Sequence, residues 1–333
     1  MTLRSQIALF GSLLLLLLAL TDPLAAQANL VSKIAYVSGD QAQSTFTLML
    51  VDPDGSNAAP LVQDGQFSDP VWSPDGKQLA FAGAPVGSSL AEWNIYVIGA
   101  DGANLRKIST HPSGNYPGAA AWSPDGQQVI YSAYSDGYIQ FYTVNADGSN
   151  EQLFHLDPAL TPSGGTLAWS PDGSQIALLG YQSSDSSNFL YLVNTDGSQP
   201  TRFAAAQDGH LTFSDLAWSP DGRQVLLNTL PITTSAPEAI AVASADGANV
   251  STIIQPPPAF IDAAAWSPDG RQIVFIANDP TVDVEPPPAL WIANADGGQS
   301  HALKVDGVQG LGVSWALIPA SPPAAPVSLT SAQ

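Results

Sequence analysis

The sequence predicts an all-β chain folded as a six-bladed β-propeller with four antiparallel strands per blade, and three observations predict it. The pentapeptide Trp-Ser-Pro-Asp-Gly stands word for word at 72–76, 122–126, 169–173, 218–222 and 266–270, at intervals of 47 to 50 residues. A second turn, Asp-Gly, alternates with it at 54–55, 101–102, 147–148, 196–197, 246–247 and 296–297. Between the two lie short apolar runs such as Gln128-Val129-Ile130-Tyr131 and Leu190-Tyr191-Leu192-Val193. Strand and turn repeated at a period near 48 residues are the signature of a propeller.

Each element has a mechanical reason. In Ser-Pro-Asp-Gly, Ser suits the first position of a type I turn, Pro presets φ at the second, and Gly takes the positive φ that closes the hairpin. The apolar residues ending in Trp give an innermost strand, A, and the Gln-led run after the turn gives B. The run before Asp-Gly gives C, and the short segment after it gives D. Apolar runs bounded by turn residues are strands buried on both faces. A sixth, worn copy has Trp315 followed by Ala316, Leu317, Ile318 and Pro319 instead of the turn.

The ends differ from the repeats. Residues 1–28 have Arg4, an apolar run from Ile7 to Leu20, and Ala25, Ala26 and Ala28 at a small-residue cleavage site, and are expected to be a signal peptide. The apolar run has 14 residues, short of the roughly 20 that cross a bilayer. No stable membrane span is expected once it is removed, and without cysteine there is no lipid anchor. The propeller is expected over 29–318. It starts at a B strand, Lys33 to Val37, and its missing A strand is Gly310 to Ala316. The ring is thus expected to close by N-terminal strands pairing with a C-terminal strand, which removes free sheet edges. The Pro-, Ala- and Ser-rich stretch 319–333 is expected to be a flexible tail.

Nine basic against 29 acidic residues give a formal net charge of −20. Eleven of the aspartates stand in the two turn motifs, so much of the acidity is turn chemistry. The scarcity of Lys and Arg argues against nucleic acid or an anionic membrane as partner. The absence of cysteine removes disulfide, thiolate and Cys-zinc chemistry.

Five Trp-Ser-Pro-Asp-Gly copies, each followed by a Gln-apolar strand and then by an apolar strand ending in Asp-Gly, resemble the WD-type repeats of the TolB-like propeller family. The resemblance covers residues 31–318, the propeller only, without the α/β domain that precedes it in TolB. It implies a six-bladed propeller in the periplasm or outside the cell. A similar propeller precedes the hydrolase domain of prolyl-oligopeptidase-like enzymes, and the oligogalacturonate lyase type holds a metal with several histidines.

No Gly-x-Ser-x-Gly elbow, His-Glu-x-x-His or P-loop is present. No catalytic residue, metal site or cofactor is assigned. The tryptophans, six copies at one structural position, are read as packing. Binding is expected where the repeats differ, on the face formed by the D–A and B–C loops. The candidates are His111 and Tyr116, His210, and Phe260 in D–A loops, with Asp69, Asp215 and Asp262 just before strand A as an acidic ring for a cation or basic group. The B–C loops 84–92, 134–137, 181–187 and 278–287 share that face. The expected function is an exported, monomeric, non-catalytic binding or scaffolding propeller that engages a protein or envelope component. The alternative is a metal-assisted lyase or hydrolase using His111, His210 and the three aspartates at the channel mouth.

Overall fold

Every copy of Trp-Ser-Pro-Asp-Gly makes the same hydrogen bonds. At the first, Gly76 N–H donates to the Ser73 carbonyl (2.8 Å), and the Ser73 hydroxyl donates to Asp75 (2.8 Å) and accepts from Gln78 N–H (2.9 Å). The glycines lie at φ between 66° and 73°, the left-handed region. The Ser hydroxyl and the N–H two residues beyond the Asp hold the carboxyls of Asp125, Asp221 and Asp269 below the usual carboxylate range.

The computed structural model describes residues 29–40, 45–89, 92–110, 120–135, 137–182, 189–204, 211–231, 238–247, 249–254, 261–278, 287–320 and 325–331. The signal-peptide expectation, 1–28, lies outside them. The fold is all-β, with its sheets in a propeller-like arrangement. Strands β1 (Leu30–Asp40), β2 (Thr45–Val51), β3 (Ala59–Trp72), β4 (Gln78–Pro85), β5 (Asn94–Gly99) and β6 (Arg106–Lys107) share one sheet. A four-stranded sheet follows, of β7 (Ala120–Trp122), β8 (Gln128–Ser135), β9 (Tyr138–Asn145) and β10 (Gln152–Phe154). The next holds β11 (Leu160–Trp169), β12 (Gln175–Gln182), β13 (Phe189–Asn194) and β14 (Thr201–Ala204). Then come β15 (Leu211–Trp218), β16 (Gln224–Pro231), β17 (Ala239–Ser244) and β18 (Val250–Ile254). The last four-stranded sheet is β19 (Ile261–Trp266), β20 (Gln272–Asn278), β21 (Pro288–Asn294) and β22 (His301–Ala302). Finally β23 (Val308–Pro319) and β24 (Val327–Ser328) return to the first sheet, giving it eight strands in the order β23-β1-β2-β3-β4-β5-β6, with β24 beside β3.

Four separate four-stranded sheets are therefore found, not six. The reason is β3, which runs for 14 residues without a break and serves both as the strand after one Asp-Gly turn and as the strand before the first Trp-Ser-Pro-Asp-Gly turn. It stays continuous through irregular pairing between Ser68 and Val71, with Asp64 and Asp69 at φ 61° and 49°.

Among the described residues, apolar clusters hold neighbouring sheets together. One joins Ala80, Ile95 and Val97 to Trp122, Val129 and Tyr131; another joins Ile34 and Tyr36 to Val274, Ile292 and Trp315. Indoles stitch neighbours: Trp122 Nε1 donates to the Val71 carbonyl (3.0 Å) and Trp266 Nε1 to the Ala217 carbonyl (3.2 Å). Inner strands touch in the order β3, β7, β11, β15, β19, β23, and β23 also touches β3. Strand β1 pairs with β23 from Leu30↔Pro319 to Tyr36↔Val313.

Of the stretch 319–333, expected as a flexible tail, residues 319–320 and 325–331 are described. Val327 and Ser328 pair with β3 and Leu329 is 1% exposed, because an apolar side chain finds a pocket there. No helix among the described residues is long and apolar enough to cross a membrane.

Turn glycines differ in what surrounds them. A Cβ on Gly76 would meet the Leu317 carbonyl oxygen at 1.8 Å, whereas one on Gly126 finds its nearest atom, Pro74 Cδ, at 3.9 Å. Gly126→Ala is expected to lose about 1 kcal/mol for the left-handed backbone alone, and Gly76→Ala at least twice that. Denaturant unfolding of both variants checks the difference; equal losses contradict the close packing.

Candidate functional site

A cavity of about 720 Å³ lies among the inner strands, lined from β3, β7, β11, β15, β19 and β23. Trp72, Trp122, Trp169, Trp218 and Trp315 line it, as do the turn prolines Pro74, Pro124, Pro171, Pro220 and Pro268. The tryptophans thus pack between sheets and form a wall of the cavity as well. The repeat underlies both roles: four of the five lining tryptophans, Trp72, Trp122, Trp169 and Trp218, end an inner strand just before a Ser-Pro-Asp-Gly turn, and Trp315 ends the worn copy.

Counting back three residues from Trp selects a second level. Asp69, Thr166, Asp215 and Gly312 stand there in β3, β11, β15 and β23, and all four line the cavity. Asp69 and Asp215 are only partly exposed, and the surface they keep faces this space. Burial raises the Asp69 carboxyl to about 6. Burial, then the charge of Asp69, raises Asp215 to about 7, although the N–H groups of Leu216 and Ala264 donate to it. Two carboxylates within electrostatic reach, both withdrawn from water, resist carrying two charges.

The backbone at Asp69 is unusual. Its φ of 49° is left-handed, and Gly312, at φ 98°, comes so close that a Cβ there would meet the Asp69 Cα at 2.8 Å. Non-Gly residues in this region are held by their surroundings. Asn228, directly across the strand pair from Asp215, is 2% exposed with neither amide atom hydrogen-bonded.

Of the three aspartates expected at the channel mouth, Asp69 and Asp215 line the cavity. Asp262 does not line the cavity; it stays exposed beside Gly310, and burial of its surroundings, then Glu238, raises its carboxyl. The physical reason is a slip of one residue. Asp262 stands four before Trp266 instead of three, at the irregularity between Ile261 and Ala263, so Ala263 takes the place the other aspartates occupy. Glu238, which accepts from Ile261 N–H at 2.5 Å, was not foreseen. His111, Tyr116, His210 and Phe260 lie outside the described residues. Val86, in the first B–C loop, is 45% exposed, and Tyr138, which opens β9 after the second, is 70% exposed.

Comparison with known proteins follows this geometry. No protein-family model matches the chain. The Tol-Pal system protein TolB of Alcanivorax borkumensis is 28% identical over 108 residues, 32% of this chain and 24% of that protein. The crystal structure of TolB from Acinetobacter baumannii superposes with a TM-score of 0.71 at 18% identity, covering 86% of this chain and 66% of that one. The chain is similar to TolB propellers. At this identity the structural likeness is one of fold. The uncharacterized peptidase YuxL of Bacillus subtilis is 27% identical over 119 residues, 34% of this chain. The matches span 24% and 17% of the length of these two curated relatives.

Raised carboxyls leave a signature on stability. Native Asp69 and Asp215 hold their protons more tightly than the unfolded chain does, so raising the pH through about 6 to 7 destabilises the fold. The turn aspartates, held low, stay ionised throughout that window and add no slope. The melting temperature is expected to fall between pH 5 and pH 8, and Asp215→Asn is expected to flatten the fall. A slope unchanged in the variant contradicts the assignment.

Proposed function

We propose that this chain is an exported, non-catalytic binding or scaffolding propeller of the TolB-like kind, periplasmic or secreted, whose cavity takes up a basic group of a protein or cell-envelope partner. The observation that carries the reading is the pair Asp69 and Asp215. Two partly desolvated carboxylates at one level of a walled cavity repel each other, and a bound cation relieves that repulsion while tryptophan faces cover its apolar stem. We read the eight-stranded sheet as two blades sharing β3, which makes six blades, and the β1–β23 pairing as the closure of the ring. The cyclic contacts of the inner strands support this. A closed ring holds the two carboxylates in place before any partner arrives, which lowers the ordering cost of binding. Tyr138, Val86 and the D–A loops with His111, Tyr116, His210 and Phe260 extend the contact on the variable face, and the protein works as a monomer.

The similarity to TolB propellers supports a binding role. The Tol-Pal system belongs to the names of those relatives, and the partial matches do not carry it to this chain. Isothermal titration with a short lysine-terminated peptide and with its acetylated counterpart tests the reading. The free amine is expected to bind the wild-type protein and to lose at least tenfold in affinity to Asp215→Asn. Equal binding of the acetylated peptide overturns it.

One observation favours a second reading, a metal-assisted lyase or hydrolase. Carboxyls near 6 and 7 suit general acid and base work at neutral pH, and a peptidase stands among the relatives. A stoichiometric divalent metal in protein purified without chelator, whose removal lowers the melting temperature, decides for it.

A further inference from the structure

The stretch after β23 returns to the sheet that β23 began. Val327 pairs in parallel with Val62, and Ser328 with Gln63, on the side of β3 away from β2. A 3-10 turn, Leu329–Ser331, follows, and it touches both β3 and β4. Leu329 is 1% exposed, and it sits where Gly65 lacks a side chain: a Cβ on Gly65 would meet Leu329 Cδ2 at 2.7 Å and Phe67 Cζ at 2.6 Å. Phe67 is itself edge-on to Phe81 (5.7 Å), which stacks on Tyr96 (5.7 Å). The leucine therefore caps an aromatic ladder that crosses β3, β4 and β5.

Topology gives this contact a purpose. Strands β23, β1, β2 and β3 lie in that order, so one C-terminal stretch borders the set on both sides, as β23 on the inner edge and β24 on the outer. From β23 to β24 is four strand spacings, roughly 19 Å at about 4.8 Å each. The eight steps from Pro319 to Val327 include Pro322, Pro323 and Pro326, and eight steps in polyproline geometry reach roughly 25 Å. Eight steps are thus enough to cover that distance.

We infer that Val327–Ser331 is an intramolecular latch. It adds a strand to the outer edge of β3 and plugs Leu329 into the Gly65–Phe67 pocket, locking the set of strands in which the two ends of the chain meet. Without it the outer edge of β3 offers unpaired backbone at 62–63 next to a leucine-sized pocket, the pattern by which sheet edges capture extended segments. The occupant of that edge is this chain's own C-terminal segment. Its pairing is short and parallel, so one leucine decides whether it stays.

Hydrogen exchange on the full chain tests the latch. Leu329→Asp is expected to speed exchange at least tenfold over 59–67 while leaving 261–294 unchanged, and Leu329→Ala to act likewise with smaller amplitude. A fluorescein-labelled peptide of residues 325–331 is expected to bind the Leu329→Asp protein at least tenfold more tightly than the wild type, and its leucine-to-alanine version to bind neither. Unchanged exchange over 59–67, loss of protection spread evenly over all sheets, or equal peptide affinity for both proteins overturns the inference.

Discussion

Because Ser, Asp and Gly of each Ser-Pro-Asp-Gly turn make the same hydrogen bonds and the same left-handed φ, every inner hairpin has one geometry, and each presents a tryptophan just before it. From that constraint follow the packing and the site together. The indoles of Trp122 and Trp266 reach back to carbonyls on the preceding sheet, apolar residues of the B and C strands pack between sheets, and Asp69, Thr166, Asp215 and Gly312, each three before a Trp, line a common cavity. Part of the acidity of the chain is a by-product: the Asp of each Ser-Pro-Asp-Gly turn is held by a Ser hydroxyl and a backbone N–H, so its charge does structural work where it stands.

Asp69 and Asp215 are two aspartates of the cavity wall that depart from this pattern. They are raised where the turn aspartates are lowered, both by loss of water and Asp215 by the charge of Asp69 as well. The backbone at Asp69 is left-handed against Gly312, and the cross-strand neighbour of Asp215, Asn228, is buried with its amide unpartnered. Strain, unmatched charge and an unpartnered amide at one level of the structure are features that folding alone does not favour. They mark the level at which the fold departs from a purely structural repeat, and they are the reason the site is read as binding.

Much of this was legible in the sequence and some of it was not, for identifiable reasons. The strands and both turns are written into the repeat, because Pro, Asp and Gly at fixed offsets have few alternatives. The fusion of two strands into β3 was hidden because Gln63 to Asp69 looks like a polar connection, while its bulged pairing keeps it in the sheet. Asp262 was grouped with Asp69 and Asp215 by proximity to Trp; counting residues, with side chains alternating faces, would have separated it. The docking of Leu329 was masked by its proline-rich approach, which reads as a linker until the glycine that receives it, Gly65, is known.

The account rests on Asp69 and Asp215 sharing one desolvated space. Carbon-13 NMR titration of the aspartate carboxyls in the wild type and in Asp69→Asn tests that most directly. Two carboxyls titrating well above the rest are predicted, with that of Asp215 shifting down when the charge at 69 is removed. Aspartates that all titrate below pH 5, or an Asp215 indifferent to the substitution, would contradict it.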